Sequence, residues 1–262
     1  MKTNRILAIL YRHLVLWRRD FDKIAETFWW PIVDLIVWGF VTIYLQKQTG
    51  ATAEAVSFFL GGVIFWSVIN KSQLDVGMTF LQEAWDRNLI NVFASPITKW
   101  EFLTATLLLG LIKVILSVIA VGLLAIFLYA FNIFKLGWYF IPFMINLLVM
   151  GWWIGIFING IIIRYGYRVQ AFAWTLIFAF QPISAVFYPV SVLPPFLQIV
   201  ARLTPASYTF EGMRAVLISG TFSLELLLLG SLLNLIYLVL SLLFYSRMFN
   251  AAQKHGYLIQ FS

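Results

Sequence analysis

Asp34 and Lys113 are ionisable residues set inside stretches of chain that are otherwise apolar. Each lies about ten residues from the nearer polar end of its stretch, so a rise of about 1.5 Å per residue puts both at about 15 Å depth if the stretches cross a membrane. A lone charge at that depth costs at least about 3 kcal/mol, and mutual pairing is the usual remedy. The expectation is an Asp34–Lys113 ion pair joining two helices. It would serve either as a packing bridge or as part of a translocation or proton-linked path.

Other groups offer less chemistry. His13 and His255 sit in terminal segments without ligand-spaced partners, and no HExxH or paired acidic motif occurs. There is no cysteine, hence no disulfide, thiolate nucleophile or cysteine metal site. No TVGYG-like filter or arginine-periodic helix is present, which argues against a potassium-type pore or a voltage sensor. An enzyme acting alone is not expected, and neither is a resident cofactor or metal.

Residues 81–96, LQEAWDRNLINVFASP, read as a short amphipathic helix stopped by Ser95 and Pro96. Leu81, Trp85, Leu89 and Phe93 share one stripe, with Glu83, Asp86 and Arg87 off it. Such a helix could dock into a partner's groove; the alternative is a connector packed on its own spans. Gly151 and Gly155 form a GxxxG step suited to close helix approach. Tryptophans divide between interfacial positions (Trp100, Trp138) and mid-span positions (Trp38, Trp66).

The elements that carry these residues follow from composition. Of the 262 residues, 62% are hydrophobic and 11% charged, against about 25% charged in soluble domains. The chain reads as one all-α membrane domain with six transmembrane helices, near 24–45, 55–70, 102–130, 138–163, 169–186 and 224–245. Residues 1–22 place Ile6, Leu10, Leu14, Trp17 and Phe21 at helical spacing, with Arg5, Arg12 and Arg19 every seven residues. That suits an interfacial amphipathic helix against anionic lipid headgroups. Arg12, Arg18 and Arg19 interrupt its apolar run, so a cleavable signal is not expected there.

With both termini cytoplasmic, inner segments hold 13 of the 18 basic residues. Outer segments hold Lys47, Lys135, Arg202 and Arg214, and Lys113 stays inside a span. This agrees with the positive-inside rule. It makes 71–101 a cytoplasmic loop and 187–220 external. The net charge of +7 is then topological, and nucleic acid is not an expected partner.

Residues 187–220 are punctuated by Pro189, Pro194, Pro195 and Pro205. Helical pieces at 195–203 and 205–218 fall short of the roughly 20 residues a span needs. A helical hairpin that re-enters one face of the membrane, just before the last span, fits this pattern.

Three features coincide in order: the N-terminal interfacial helix, the loop ending NLINVFASPITKWEF (88–102), and FYPVSVLPPFLQIVARLTPASYTFEGMR (187–214). Together they resemble the type-2 ABC exporter permeases, membrane subunits that pair with separate ATP-binding subunits. Ser95, Pro96 and Glu101 match the family's loop ending. Pro189, Leu193, Pro194, Leu197, Pro205, Tyr208, Glu211 and Arg214 match its late proline-rich run. Where many members have a glutamate shortly before the Ser-Pro, this chain offers Asn88 and Asn91.

The resemblance implies two permeases, a homodimer of this chain in preference to a heterodimer, and two ATPases carrying the ATP and Mg. Residues 81–96 would be the coupling helix, with Glu83, Trp85, Asp86, Arg87, Leu89, Phe93, Ser95 and Pro96 toward the ATPase. The 187–220 hairpin would cap the path. The cargo would be an amphipathic or drug-like compound, a lipid or a lipid-linked glycan, leaving a bacterial cell membrane. No GxxxxGK[ST] motif occurs, so hydrolysis would fall to the partner. The alternative from another class is an ATP-independent secondary transporter or channel using Asp34 and Lys113.

Overall fold

Asp20 ends the first helix and begins the second. The computed structural model describes residues 1–50 and 53–255. α1 (Thr3–Arg19) stops where Asp20 turns extended, and the Asp20 carboxylate accepts from the Asp22 and Lys23 amides. One residue therefore caps α2 (Phe21–Thr49) and bends the chain away from α1. The Trp17 indole donates to Thr27 Oγ1 at 2.9 Å and to the Lys23 carbonyl at 3.1 Å, holding the two helices together.

The remaining elements are α3 (Ala53–Trp85), α4 (Leu89–Ala94), α5 (Lys99–Tyr129), α6 (Phe140–Tyr165), α7 (Ala171–Ile183), α8 (Pro195–Arg202), α9 (Pro205–Ser219) and α10 (Leu224–His255). Short 3-10 turns cover Ile133–Tyr139, Gly166–Val169 and Val190–Val192. Among the described residues every element is helical.

Four helical segments are long and apolar enough to cross a membrane: Phe21–Gln48, Lys99–Tyr129, Ile133–Tyr165 and Leu224–Lys254. Their outer faces expose Phe40, Leu123, Phe127, Leu232 and Leu240. Soluble monomers rarely show apolar faces of this extent, whereas lipid accepts them. This differs from six apolar spans in two places. α7 has 13 residues, about 20 Å, against about 30 Å of hydrocarbon. α3 has 33 residues and is long enough, but Lys71, Asp75 and Glu83 occupy its second half.

α3 is the central helix, packed against α2, α5, α6, α7 and α9. Here the structure corrects the expected loop at 71–101, because the helix continues without a break to Trp85. Leu81, Phe80 and Val76 are fully buried, and the polar residues Gln73, Asp75 and Glu83 around them find partners on other elements. The Gln73 amide donates to the Ala173 carbonyl of α7 at 3.0 Å. Polar side chains that would end a lipid-facing span are tolerated where protein satisfies them.

α6 lies close against α3 because Gly151 and Gly155 face it. A Cβ built on Gly151 would sit 2.7 Å from the Ile69 carbonyl, and one on Gly155 2.9 Å from the Gln73 carbonyl. Asn159, one turn on, donates to the Val76 carbonyl at 3.1 Å. The opposite face of α6 meets α10 through a polar clasp: Asn234 donates to the Asn146 carbonyl at 2.9 Å, and Trp153 donates to Asn234 Oδ1 at 3.1 Å. Such interhelical bonds contribute about 0.6–2 kcal/mol each in a membrane.

Candidate functional site

Three groups of residues could carry function: the junction at the end of α3, a buried charged triad, and a crevice beside it. They lie along one helix.

At the junction, the expected single helix over 81–96 is broken. α3 ends at Trp85, Asp86–Asn88 form a turn with Arg87 at φ +53°, and only Leu89–Ala94 resumes as α4. The left-handed Arg87 reverses the chain, so the shared stripe is lost. Leu81 and Leu89 are buried, Leu89 at 1% exposure, while Trp85 is 44% exposed. Phe93 packs its ring against Phe102 and Phe249, at centroid distances of 5.7 and 4.9 Å. Glu83 is not on an outward face, being 3% exposed. The accessible tip is Trp85, Asp86 and Arg87, with Asn91 and Pro96 beside it.

Glu83 ties this tip to α1. Its carboxylate lies 3.0 Å from the Arg12 guanidinium and 3.6 Å from His13 Nε2, and it accepts from the Asn88 amide. Ser95 donates back to the Val92 carbonyl and ends α4. Pro96 and Ile97 then lead into a capping box, in which Thr98 accepts from the Glu101 amide and Glu101 accepts from the Thr98 amide. Glu101 also accepts from the Lys2 backbone amide at 2.7 Å. Two buried carboxylates thus clamp α1 across the loop. The Thr98-Lys-Trp-Glu101 spacing was a readable signal for the second clamp, while nothing local marked Glu83 as buried.

Burial pushes His13 down to about 4, partly opposed by Glu83, with Arg12, Lys113 and Lys23 adding to the fall. Its folded pKa lies below the ordinary 6.5, so the folded state binds fewer protons than the unfolded chain. The stabilisation is present above pH 6.5 and is lost as pH falls toward 4. Thermal unfolding at pH 7 and pH 5 should show a drop in midpoint for the native chain, and a smaller drop for His13→Gln. Equal drops would mean that His13 has the same pKa in the folded and unfolded chain.

The triad corrects the expected Asp34–Lys113 pair. Lys113 lies 3.3 Å from Asp75 Oδ1, and Lys71 approaches the same oxygen at 3.2 Å. Asp75 Oδ2 is buried and, among the described residues, accepts no hydrogen bond. Lys113 pairs with α3, and Gly110, one turn before it on α5, lies beside the Asp75 side chain. The four-residue step from Lys71 to Asp75 was the signal for this partner.

Asp34 instead lines a crevice of about 350 Å³ between α2 and α7, with α3 as its floor. Glu26, Trp30 and Asp34 come from α2 at four-residue steps, and Pro31 between them interrupts the helix ladder. α3 supplies Ser67, Asn70, Lys71 and Leu74, and α7 supplies Trp174 and Phe178. The Gln73–Ala173 bond sets the height of α7, and with it the position of Trp174.

The proline-rich segment is organised by its own charges. Glu211 accepts from the Val190 amide at 2.7 Å and pairs with Arg214 at 2.7 Å. Arg214 donates to the Ala185 carbonyl at 3.1 Å and stacks 4.2 Å from the Phe58 ring. Ala185 has φ +54°, a turn conformation that costs a residue with a Cβ about 1–2 kcal/mol, and Arg214 braces it. Pro189 and Pro194 hold extended backbone on either side of the Val190–Val192 turn, and Pro205 starts α9 at its first turn. Tyr208 donates to the Arg202 carbonyl at 2.8 Å, closing α8 onto α9.

Four helices long and apolar enough to cross a membrane, packed with a central helix that carries buried charges, mark the chain as an integral membrane protein. The chain matches the model of the ABC-2 type transporter family over residues 5–218, and so belongs to that family. It is similar to the inner membrane transport permease YadH of Escherichia coli strain K12, with 21% identity over 159 residues. That alignment covers 61% of this chain and 61% of the relative's length. YadH of Escherichia coli O157:H7 and of Shigella flexneri match to the same extent.

Proposed function

We propose that this chain is the permease subunit of an ATP-driven exporter, with hydrolysis performed by a separate ATP-binding-cassette subunit. The observation that carries the reading is the exposed Trp85–Asp86–Arg87 tip, which directly follows the central helix and is clamped to α1 through Glu83. A partner that grips the tip pulls directly on α3, on which the charged triad and the crevice are built. The matched family and the relatives named as inner membrane transport permeases support the same reading.

In this reading both termini are cytoplasmic and α1 lies in the membrane interface, in contact with lipid. α3 and α7 cross together with the four apolar segments to make six. α8 and α9 form an external re-entrant hairpin, braced by Glu211 and Arg214. Two copies of the chain enclose the path, and the α2–α3–α7 crevice contacts an amphipathic, lipid or lipid-linked glycan cargo. The rival secondary-transport reading needs Asp34 and Lys113 to act together, and Lys113 is occupied by Asp75.

Trp85→Asp should abolish ATPase stimulation by the permease while leaving its thermal midpoint within about 2 °C of the native chain, as expected of an exposed site. Phe93→Asp should instead lower the midpoint, because it buries a carboxylate among rings. Full ATPase stimulation by the Trp85 variant would remove the tip from the coupling path.

A further inference from the structure

We propose that the crevice between α2 and α7 is a binding site for an amphipathic organic cation, with Asp34 as its counter-ion. Among the described residues, Asp34 and Glu26 enter no ion pair or hydrogen bond, although both line the cavity. The cation that also lines it, Lys71, is buried and turned to Asp75 at 3.2 Å, an oxygen it shares with Lys113, and the two carboxylates of the lining outnumber this one ammonium. A carboxylate half-buried among apolar groups at membrane depth attracts a cation far more strongly than one in water.

The aromatic lining agrees in sign. Trp30 stands one turn from Asp34 on α2, and Trp174 and Phe178 stand one turn apart on α7. All three residues line the crevice and remain exposed, so a cargo could reach them. Faces of indole and phenyl rings attract alkylammonium and similar cations, tryptophan most of all. An anionic headgroup would meet Glu26 and Asp34 instead. The volume of about 350 Å³ suits a compact amphiphile.

The inference rests on the reading of this crevice as the cargo contact. It is tested by binding alone, without nucleotide or ATPase, so its failure leaves the coupling reading untouched, and failure of coupling leaves this result standing. Permease in phosphatidylcholine nanodiscs is titrated with labelled tetraphenylphosphonium, counted above empty discs. Tetraphenylborate, of matching shape and opposite charge, is titrated in parallel. Expected is saturable binding of the cation and no saturable binding of the anion. Asp34→Asn and Trp174→Ala should weaken cation binding on the order of tenfold, and Asp34→Glu should retain it.

An absence of saturable cation binding, equal binding of both probes, or undiminished binding by a folded Asp34→Asn variant would overturn the proposal. So would displacement of the probe by a neutral alkyl glycoside as readily as by an alkyl-trimethylammonium of the same chain length. The comparison of the two probes on the native chain decides the matter even if Asp34→Asn does not fold.

Discussion

Asp75→Asn is expected to lower the thermal midpoint of the purified protein by about 10 °C or more, through a loss of about 3–5 kcal/mol. The carboxylate is shared by Lys71 and Lys113 at 3.2 and 3.3 Å, and all three residues lie away from solvent. Removing it leaves two ammonium groups facing each other in a medium that cannot solvate them. Asp34→Asn is the matched control, since that carboxylate supports no partner, and its midpoint should stay within about 2 °C. Adding Lys113→Gln to the Asp75 variant should recover part of the loss, because only one unpaired cation then remains. An unchanged midpoint for Asp75→Asn would mean that the lysines hold their positions without it.

Gly151→Leu is expected to prevent α6 from seating on α3, and little folded protein should be recovered from the membrane. Even a bare Cβ at this position would lie 1.8 Å from Ser72 Oγ and 2.7 Å from the Ile69 carbonyl, and the latter is backbone that cannot step aside. Overpacking costs about 1–3 kcal/mol where side chains can yield, and more where they cannot. Gly155→Leu should behave alike, with Val76 Cβ at 2.8 Å and the Gln73 carbonyl at 2.9 Å. Gly110→Ala is the control: its new methyl would meet Asp75 Cβ at 3.4 Å, and losing a helical glycine contributes about 0.5–1 kcal/mol in its favour. Recovery of folded Gly151→Leu at native yield, by size-exclusion chromatography, would show that the two helices do not approach this closely.

Much of the architecture was readable from hydropathy and proline positions. The apolar runs that became α2, α5, α6 and α10 are long and little interrupted, and Pro195 and Pro205 stand at the first turns of α8 and α9. The second half of α3 does not look helical in the sequence, for a physical reason. Lys71, Gln73, Asp75 and Glu83 look like loop residues when their partners are unknown, and those partners come from α1, α5 and α7. Lys113 was recognised as needing a carboxylate. Which one it meets depends on how far α5 is rotated and slid against α2 and α3, and a single sequence does not carry that. The break at Asp86–Asn88 was hidden likewise, because Arg87 adopts a left-handed conformation that its residue type does not announce. By contrast, the Glu26–Trp30–Asp34 spacing was fully visible, and only the arrival of Trp174 and Phe178 opposite it gave it meaning.

The most direct test purifies the chain from its native membrane in mild detergent and measures ATP hydrolysis in the particle. An ATP-binding-cassette subunit should co-purify in equal number, the complex should hydrolyse ATP, and Trp85→Asp permease should lose both partner and hydrolysis while remaining folded. Cargo movement by the purified chain in liposomes, with no ATPase present and no response to ATP, would contradict it.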